Sequence, residues 1–262
     1  YVQKGAARLT AMMGILSAGG AYAPIDASYP ALRVLAILTD IGAPLVVAQA
    51  RFVLVQSYVA FGAEVHTQGW LSGGNSQCYV IHTSGSSGQP KGVSIEHCNV
   101  MHYLGALDER VYLMSRPGSS RALYMVSFTF DYGLQSIYPT FSRRGCVIAY
   151  PKASMLVHVD EMIQKHEVSS LTCTPSMLSV VGAGVVGRLR NVHFGGESIV
   201  RELLRGWSEG VRRVYEDFGA TEAAVIQAST RFVVDAPFAQ SKGAPFVNVY
   251  EAIRGPASSE ES

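Results

Sequence analysis

The chain is poor in charge, poor in cysteine, and without any long apolar run. Only 16% of its 262 residues are charged, and 21 basic residues stand against 20 acidic ones, leaving a formal net charge of +1. That balance gives no reason to expect nucleic acid or an anionic membrane as a partner. The four cysteines, Cys78, Cys98, Cys146 and Cys173, are scattered and form no C-x-x-C pair. Neither a zinc ribbon nor a redox pair is indicated, and reduced thiols in a cytoplasmic protein are expected. No stretch is long and apolar enough to span a bilayer, and no signal peptide is visible. Of seven histidines, His97 and His102 come closest to a pair, but they are not at the i, i+4 spacing of a helical metal pair. No metal–histidine site is expected. The first residue is Tyr1 rather than Met, so the chain reads as an excerpt. Its end, Gly255 to Ser262, is small and polar and reads as a disordered tail.

What is present is an apolar share of 48%, sufficient for a sizeable core in one large domain or two small ones. From Cys78 onward, short apolar runs alternate with helix-like segments. Strands are expected at 78–82, 121–126, 145–149, 169–173, 190–194 and 212–216. Helices are expected at 95–107, 132–141, 158–167, 175–182 and 199–208. This alternation predicts an α/β fold, mostly parallel strands with helices on both faces. In such sheets ligands sit beyond the carboxyl ends of the strands. The first 77 residues are less patterned: a helix over Ala11–Ala18 stopped by Gly19-Gly20, a second over Arg33–Thr39, and a short strand over Pro44–Ala48.

The most informative stretch is Cys78 to Val93, CYVIHTSGSSGQPKGV. A strand-like run empties into Thr83, Ser84, Gly85, Ser86, Ser87 and Gly88, closing with Pro90, Lys91 and Gly92. Glycines let backbone N–H groups turn onto an anion, hydroxyls add donors, and Lys91 adds charge. A Ser/Gly stretch is also the composition of a plain connector. The Pro-Lys-Gly end is what a connector does not need. It is not a Walker A loop, because Pro90 precedes the lysine and Gly92 follows it.

Three further clusters carry chemistry. Val192–Ser198, VHFGGES, ends a strand in two glycines and a carboxylate. The glycines permit close approach of a flat ligand, or simply punctuate a turn. Val214–Glu222, VYEDFGATE, offers Phe218 to stack on a base, Thr221 to bond a phosphate and Glu222 to hold Mg²⁺. The plain alternative is a helix start, with Thr221 as cap. Phe128–Asp131, FTFD, ends in an acid that is either a helix cap or the buried partner of a cation.

Taken in order, these clusters resemble the adenylation domains of nonribosomal peptide synthetases, within the adenylate-forming superfamily. Ile15–Pro30 resembles "LKAGGAYVPLDPxYP", Tyr79–Val93 resembles "YxxYTSGSTGxPKGV", and Phe130-Asp131 falls at the "FD" pair. Phe194–Ser198 resembles the "GGE" element, Phe218–Glu222 resembles "YGPTE", and Lys242–Asn248 resembles "IGxPxxN". The similarity runs from about Met13 to Asn248 and implies a partial AMP-binding core over 1–250, followed by the tail 251–262.

The resemblance implies that an α-amino acid and ATP, with Mg²⁺, give an aminoacyl-adenylate, which passes to a carrier protein's phosphopantetheine thiol beside neighbouring synthetase domains. Thr83, Ser84, Gly85, Ser86, Ser87, Gly88 and Lys91 would cradle the leaving phosphates. Gly195, Gly196 and Glu197 would line the adenine, Phe218 would stack on it, Thr221 would contact the α-phosphate, and Glu222 would hold Mg²⁺. Asp131 would pair with the substrate ammonium. The side-chain pocket would be Tyr132, Gln135, Thr172, His193, Gly195, Asp217, Val225 and Ile226. Three residues depart from the pattern: Glu216 for asparagine, Ala220 for proline and Ser87 for threonine. The family's C-terminal lid, with its catalytic lysine, has no counterpart here, so these residues alone are expected not to turn over. The alternatives are a non-catalytic relic that binds nucleotide weakly, and a related ligase for a different acid.

Overall fold

The computed structural model describes residues 5–48, 51–54, 74–84, 90–107, 117–198, 207, 210–211, 213–232 and 244–245. Its frame is a seven-stranded sheet. Five strands run parallel, in the spatial order β6 (Cys146–Ile148), β5 (Arg121–Tyr124), β7 (Ser170–Cys173), β8 (Asn191–Gly195) and β9 (Arg213–Phe218). β10 (Ala228–Phe232) and β11 (Ala244–Pro245) complete one edge antiparallel. Two antiparallel pairs stand apart from this sheet: β1 (Leu45–Ala48) with β2 (Arg51–Leu54), and β3 (Gln77–Ser84) with β4 (Pro90–Glu96).

The α/β class and the mostly parallel sheet are as the sequence predicts. The strand runs from residue 121 onward match to within a residue or two. The first helix runs Ala6–Ser17 (α1) and the second Ala31–Ile41 (α2), which stops where Gly42 turns left-handed at φ 55°. The Tyr79–Ile81 run is a correction. It does not join the parallel sheet but forms half of a hairpin with β4. Val93 and Ile95 alternate with Ser94 and Glu96 at strand period, and that alternation makes Pro90–Glu96 a strand. The next helix, α3 (His97–Leu107), therefore starts two residues late.

The helix expected at 132–141 is a 3₁₀ segment, Asp131–Ser136, followed by the short α4 (Tyr138–Ser142) with Pro139 in its first turn. The helix expected at 158–167 is α5 (Lys152–Lys165), broken at His158. That expected at 175–182 is only α6 (Pro175–Leu178), with a 3₁₀ turn at Ala183–Arg188 beyond it. The helix expected at 199–208 and the tail 251–262 lie outside the described residues, apart from Trp207.

The two faces of the central sheet differ in kind. Side chains alternate along a strand, so one face of β5, β7, β8 and β9 carries Leu123, Leu171, Cys173, Val192, Phe194 and Val214. These pack with Met155, Val159, Met162 and Ile163 of α5 into an apolar core. The other face carries Tyr124, Thr172, His193 and Tyr215 as paired neighbours across four strands. The next row on that face is Gly195, Asp217 and Ser229. Parallel strands covered on both faces usually read as continuous apolar runs. A polar row at the carboxyl ends of such strands marks where function lies.

All four cysteines are free thiols. Among the described residues no helix is long and apolar enough to cross a membrane.

Candidate active site

The polar row is covered by the 3₁₀ segment Asp131–Ser136, which lies over β5 and β7. Every residue of that segment is buried. Asp131, only 3% exposed, takes the Tyr132 N–H on Oδ1 at 2.9 Å. Its Oδ2 is buried and makes no hydrogen bond of good geometry. Burial pushes this carboxyl up to about 6, against the pull of the Tyr132 N–H and the Thr221 side chain. Glu222 is close enough to act in the same direction as burial. The fold thus brings Asp131, Thr221 and Glu222 together from distant parts of the chain.

Next to Asp131 stands a buried polar network centred on Asp217. Its Oδ2 accepts from the Tyr132 hydroxyl at 3.1 Å and lies 2.9 Å from His193 Nδ1. Its Oδ1 accepts from the Ser229 hydroxyl at 2.6 Å. The His193 ring lies flat on Tyr215, centroids 4.7 Å apart and planes 11° apart. Gln135 Nε2 is 3.5 Å from the same His193 Nδ1. Gln135 Oε1 and His193 Nε2 are buried without partners. Gly195 is required here: a Cβ would lie 2.5 Å from the Asp217 carbonyl oxygen and 3.1 Å from the Tyr132 ring. Of the expected pocket residues, Tyr132, Gln135, Thr172, His193, Gly195 and Asp217 share this layer. Val225 and Ile226 are buried in the core just beyond it.

The rim is open. Gly196, Glu197, Gly219, Ala220 and Glu222 are exposed, and Phe218 and Thr221 are half-buried. Glu197 is turned toward α6, where its Oε2 accepts the Ser176 N–H at 3.0 Å and the Ser176 hydroxyl. Those bonds hold its carboxyl below the ordinary value. The loop after β9 is strained, with Ala224 at φ 61° and Val225 at φ 65°. A β-branched residue there is an outlier, of a kind that clusters at functional sites.

Gln227, which the sequence did not single out, holds this loop. Its Oε1 accepts the Ala220 N–H, and its Nε2 donates to the carbonyls of Ala220 at 3.3 Å and Ala223 at 3.0 Å. Gln227→Ala is expected to lower stability by about 2 kcal/mol and to speed hydrogen exchange at the Ala220 amide. Denaturant melts and exchange mass spectrometry check both, and an unchanged Ala220 exchange rate would mean the loop is held by something else.

The hairpin β3–β4 brings the remaining residues. Thr83 pairs with Lys91 and Ser84 with Pro90, the last pairs before the connecting loop. β4 lies beside the Thr221–Ala223 turn, so the exposed Lys91 is on the strand that borders Glu222. Gly85, Ser86, Ser87 and Gly88, and the side chain of Ser84, lie outside the described residues. Besides Gln227, Ser229 and Tyr215 were missed. Their only signal was their register beside Asp217 and His193, which a local pattern does not reveal.

The site is therefore an open rim of glycines, hydroxyls and two carboxylates, Glu197 and Glu222, above the buried carboxylate of Asp131. The AMP-binding enzyme family model matches residues 1–261, and the chain belongs to that family of adenylate-forming enzymes. It is 32% identical over 272 residues to nonribosomal peptide synthetase 7 of Aspergillus fumigatus, covering 99% of this chain and 11% of that protein. The AMPPNP-bound nonribosomal peptide synthetase FmoA3 has a similar fold, with a TM-score of 0.76 at 24% identity over 95% of this chain and 29% of that one. So does the Vibrio cholerae adenylation domain AlmE in complex with glycyl-adenosine-5'-phosphate, with a TM-score of 0.74 at 17% identity over 89% of this chain and 52% of that one.

Proposed function

We propose that this domain activates an α-amino acid with ATP, forming an aminoacyl-adenylate and pyrophosphate, for loading onto the phosphopantetheine thiol of a carrier protein. One observation carries the reading: a buried carboxylate, Asp131, whose Oδ2 makes no well-aligned hydrogen bond among the described residues and which lies beside Thr221 and Glu222. A buried carboxylate without a cation is costly, and an α-ammonium is a cation of suitable size. Pairing the ammonium with Asp131 directs the substrate carboxylate toward Thr221 and the rim. Binding both reactants side by side converts a bimolecular step into a nearly unimolecular one.

The exposed backbone of Gly196 and Gly219 and the half-buried Phe218 fit a flat base. Thr221 fits an α-phosphate oxygen, and Lys91 with the loop it borders fits the leaving phosphates. Among the described residues no cluster of three metal-binding side chains occurs. Magnesium held by one carboxylate, phosphates and water needs no such cluster, and Glu222 is exposed and free to serve. When bound, the ion would neutralise phosphate charge. That relatives are multidomain synthetases supports the carrier protein as the acceptor.

The test is binding of non-hydrolysable aminoacyl-sulfamoyl-adenosines to the chain by calorimetry. An analogue with a free α-ammonium is expected to bind at least tenfold tighter than its des-amino counterpart, since one unmet buried charge is worth several kcal/mol. Equal affinities would point instead to a ligase for an acid without an amine.

A further inference from the structure

We infer that His193 reads the substrate side chain through Nε2 as a hydrogen-bond acceptor, so that this domain selects an amino acid whose side chain carries a donor, a hydroxyl or an N–H. The inference rests on amino-acid activation as proposed above. It starts from Asp217, whose carboxylate accepts from Tyr132 at 3.1 Å and from Ser229 at 2.6 Å and lies 2.9 Å from His193 Nδ1. A hydrogen bond between Nδ1 and a carboxylate oxygen places the proton on Nδ1. In a neutral ring the other nitrogen, Nε2, is then a bare acceptor.

The surroundings keep it so. The side chains of His193 and Asp217 are both 0% exposed. A proton on Nε2 would be a buried N–H with no partner among the described residues, because Nε2 has none there. Tyr132 and Ser229 already meet the charge of Asp217. Stacking on Tyr215 fixes the ring plane. A fully buried, unpartnered acceptor is costly unless a ligand satisfies it. Gln135 supports the same conclusion. Its contact with Nδ1, at 3.5 Å, sets donor against donor, so it makes no hydrogen bond there. In either orientation of the amide, one end remains for a ligand. Asp217 acts as a positioning residue: Tyr132, His193 and Ser229 occupy its two oxygens, and it sets the tautomer that His193 presents.

The experiment compares aminoacyl-sulfamoyl-adenosines in matched pairs on the wild-type chain: serine with alanine, threonine with valine, tyrosine with phenylalanine, and, for N–H donors, asparagine with leucine and tryptophan with naphthylalanine. In the pair that fits, the donor-bearing member is expected to bind at least tenfold tighter, because a site built to hydrogen-bond a group rejects the analogue lacking it. His193→Asn keeps an N–H toward Asp217 and removes the acceptor. It is expected to retain the fold and lose that preference, whereas His193→Gln, with an amide oxygen near the Nε2 position, regains part of it. The ¹⁵N spectrum of the wild-type ring is expected to show Nδ1 protonated and Nε2 bare. A protonated Nε2, or hydrocarbon members binding as tightly in every pair, would overturn the inference while leaving amino-acid activation standing. Failure of every aminoacyl analogue to bind would overturn both.

Discussion

Asp131→Asn is expected to weaken amino-acid binding severely and, in the same protein, to make the ligand-free fold more stable. Both effects come from one carboxylate. In the absence of ligand Asp131 is buried, with Oδ2 unbonded, and its carboxyl rises from 3.8 to about 6. The sign follows from the direction of that rise. The folded state holds the proton more tightly than the unfolded chain does. The group therefore favours folding below pH 3.8, and this contribution is lost as pH climbs through about 6. Above that range the ionised carboxylate costs about 3 kcal/mol, at about 1.4 kcal/mol for each tenfold in proton affinity.

Asparagine carries no such charge, so the variant should be more stable at pH 8 by about 2–3 kcal/mol and lose that advantage near pH 4. The substrate feels the opposite effect. Without the carboxylate an α-ammonium would enter a buried site unpaired, which costs about 3–5 kcal/mol. Amino-acid affinity should fall at least a hundredfold, while binding of AMP alone should change little. Wild-type affinity should likewise decline as pH drops through about 6, where Asp131 gains its proton. Denaturant melts at the two pH values and calorimetry with an aminoacyl-adenylate analogue check each part. A variant no more stable at pH 8, or one that binds the analogue as wild type does, would show that Asp131 is not the ammonium's partner.

The sequence already disclosed the fold class and the residue types that the fold gathers beyond the carboxyl ends of the strands, because both are written locally. The strands announce themselves as short apolar runs, and the glycines at the ends of two of them stand on the rim. What it did not disclose was pairing. Tyr79–Ile81 looks the same whether its neighbour is parallel or antiparallel, and only the alternation of Val93 and Ile95 betrays the hairpin. The clearest example is the Asp217 network. His193, Asp217 and Ser229 meet through the register of β8, β9 and β10, and Tyr132 reaches them from the 3₁₀ segment laid over the sheet. The same holds for Glu197, whose partner is Ser176 at the start of a helix 21 residues earlier. Local pattern names residue types. Long-range register decides which of them are neighbours, and here it turned candidate residues into a hydrogen-bonded layer.

Register also places Lys91, and from that place follows an asymmetric effect. Lys91→Ala is expected to weaken MgATP binding about tenfold or more and to leave AMP binding within a factor of two. Lys91 pairs with Thr83 at the mouth of the β3–β4 hairpin, is exposed, and sits on the strand beside Thr221–Ala223. If ATP lies with its α-phosphate at Thr221 as proposed, a charge there would reach the phosphates beyond it. A hydrogen bond to a charged group contributes about 1.5–3 kcal/mol, which converts to about tenfold or more. AMP has no β- or γ-phosphate and so loses nothing. Because the side chain is exposed, the melting midpoint should not move appreciably. The difference between the two nucleotides should shrink as salt is raised, since an exposed charge is screened. Lys91→Arg should keep part of the effect, having the charge but a different shape. Calorimetry with both nucleotides at low and high salt measures all of this. Equal losses for MgATP and AMP would put Lys91 on the α-phosphate side and reverse the orientation of ATP across the hairpin.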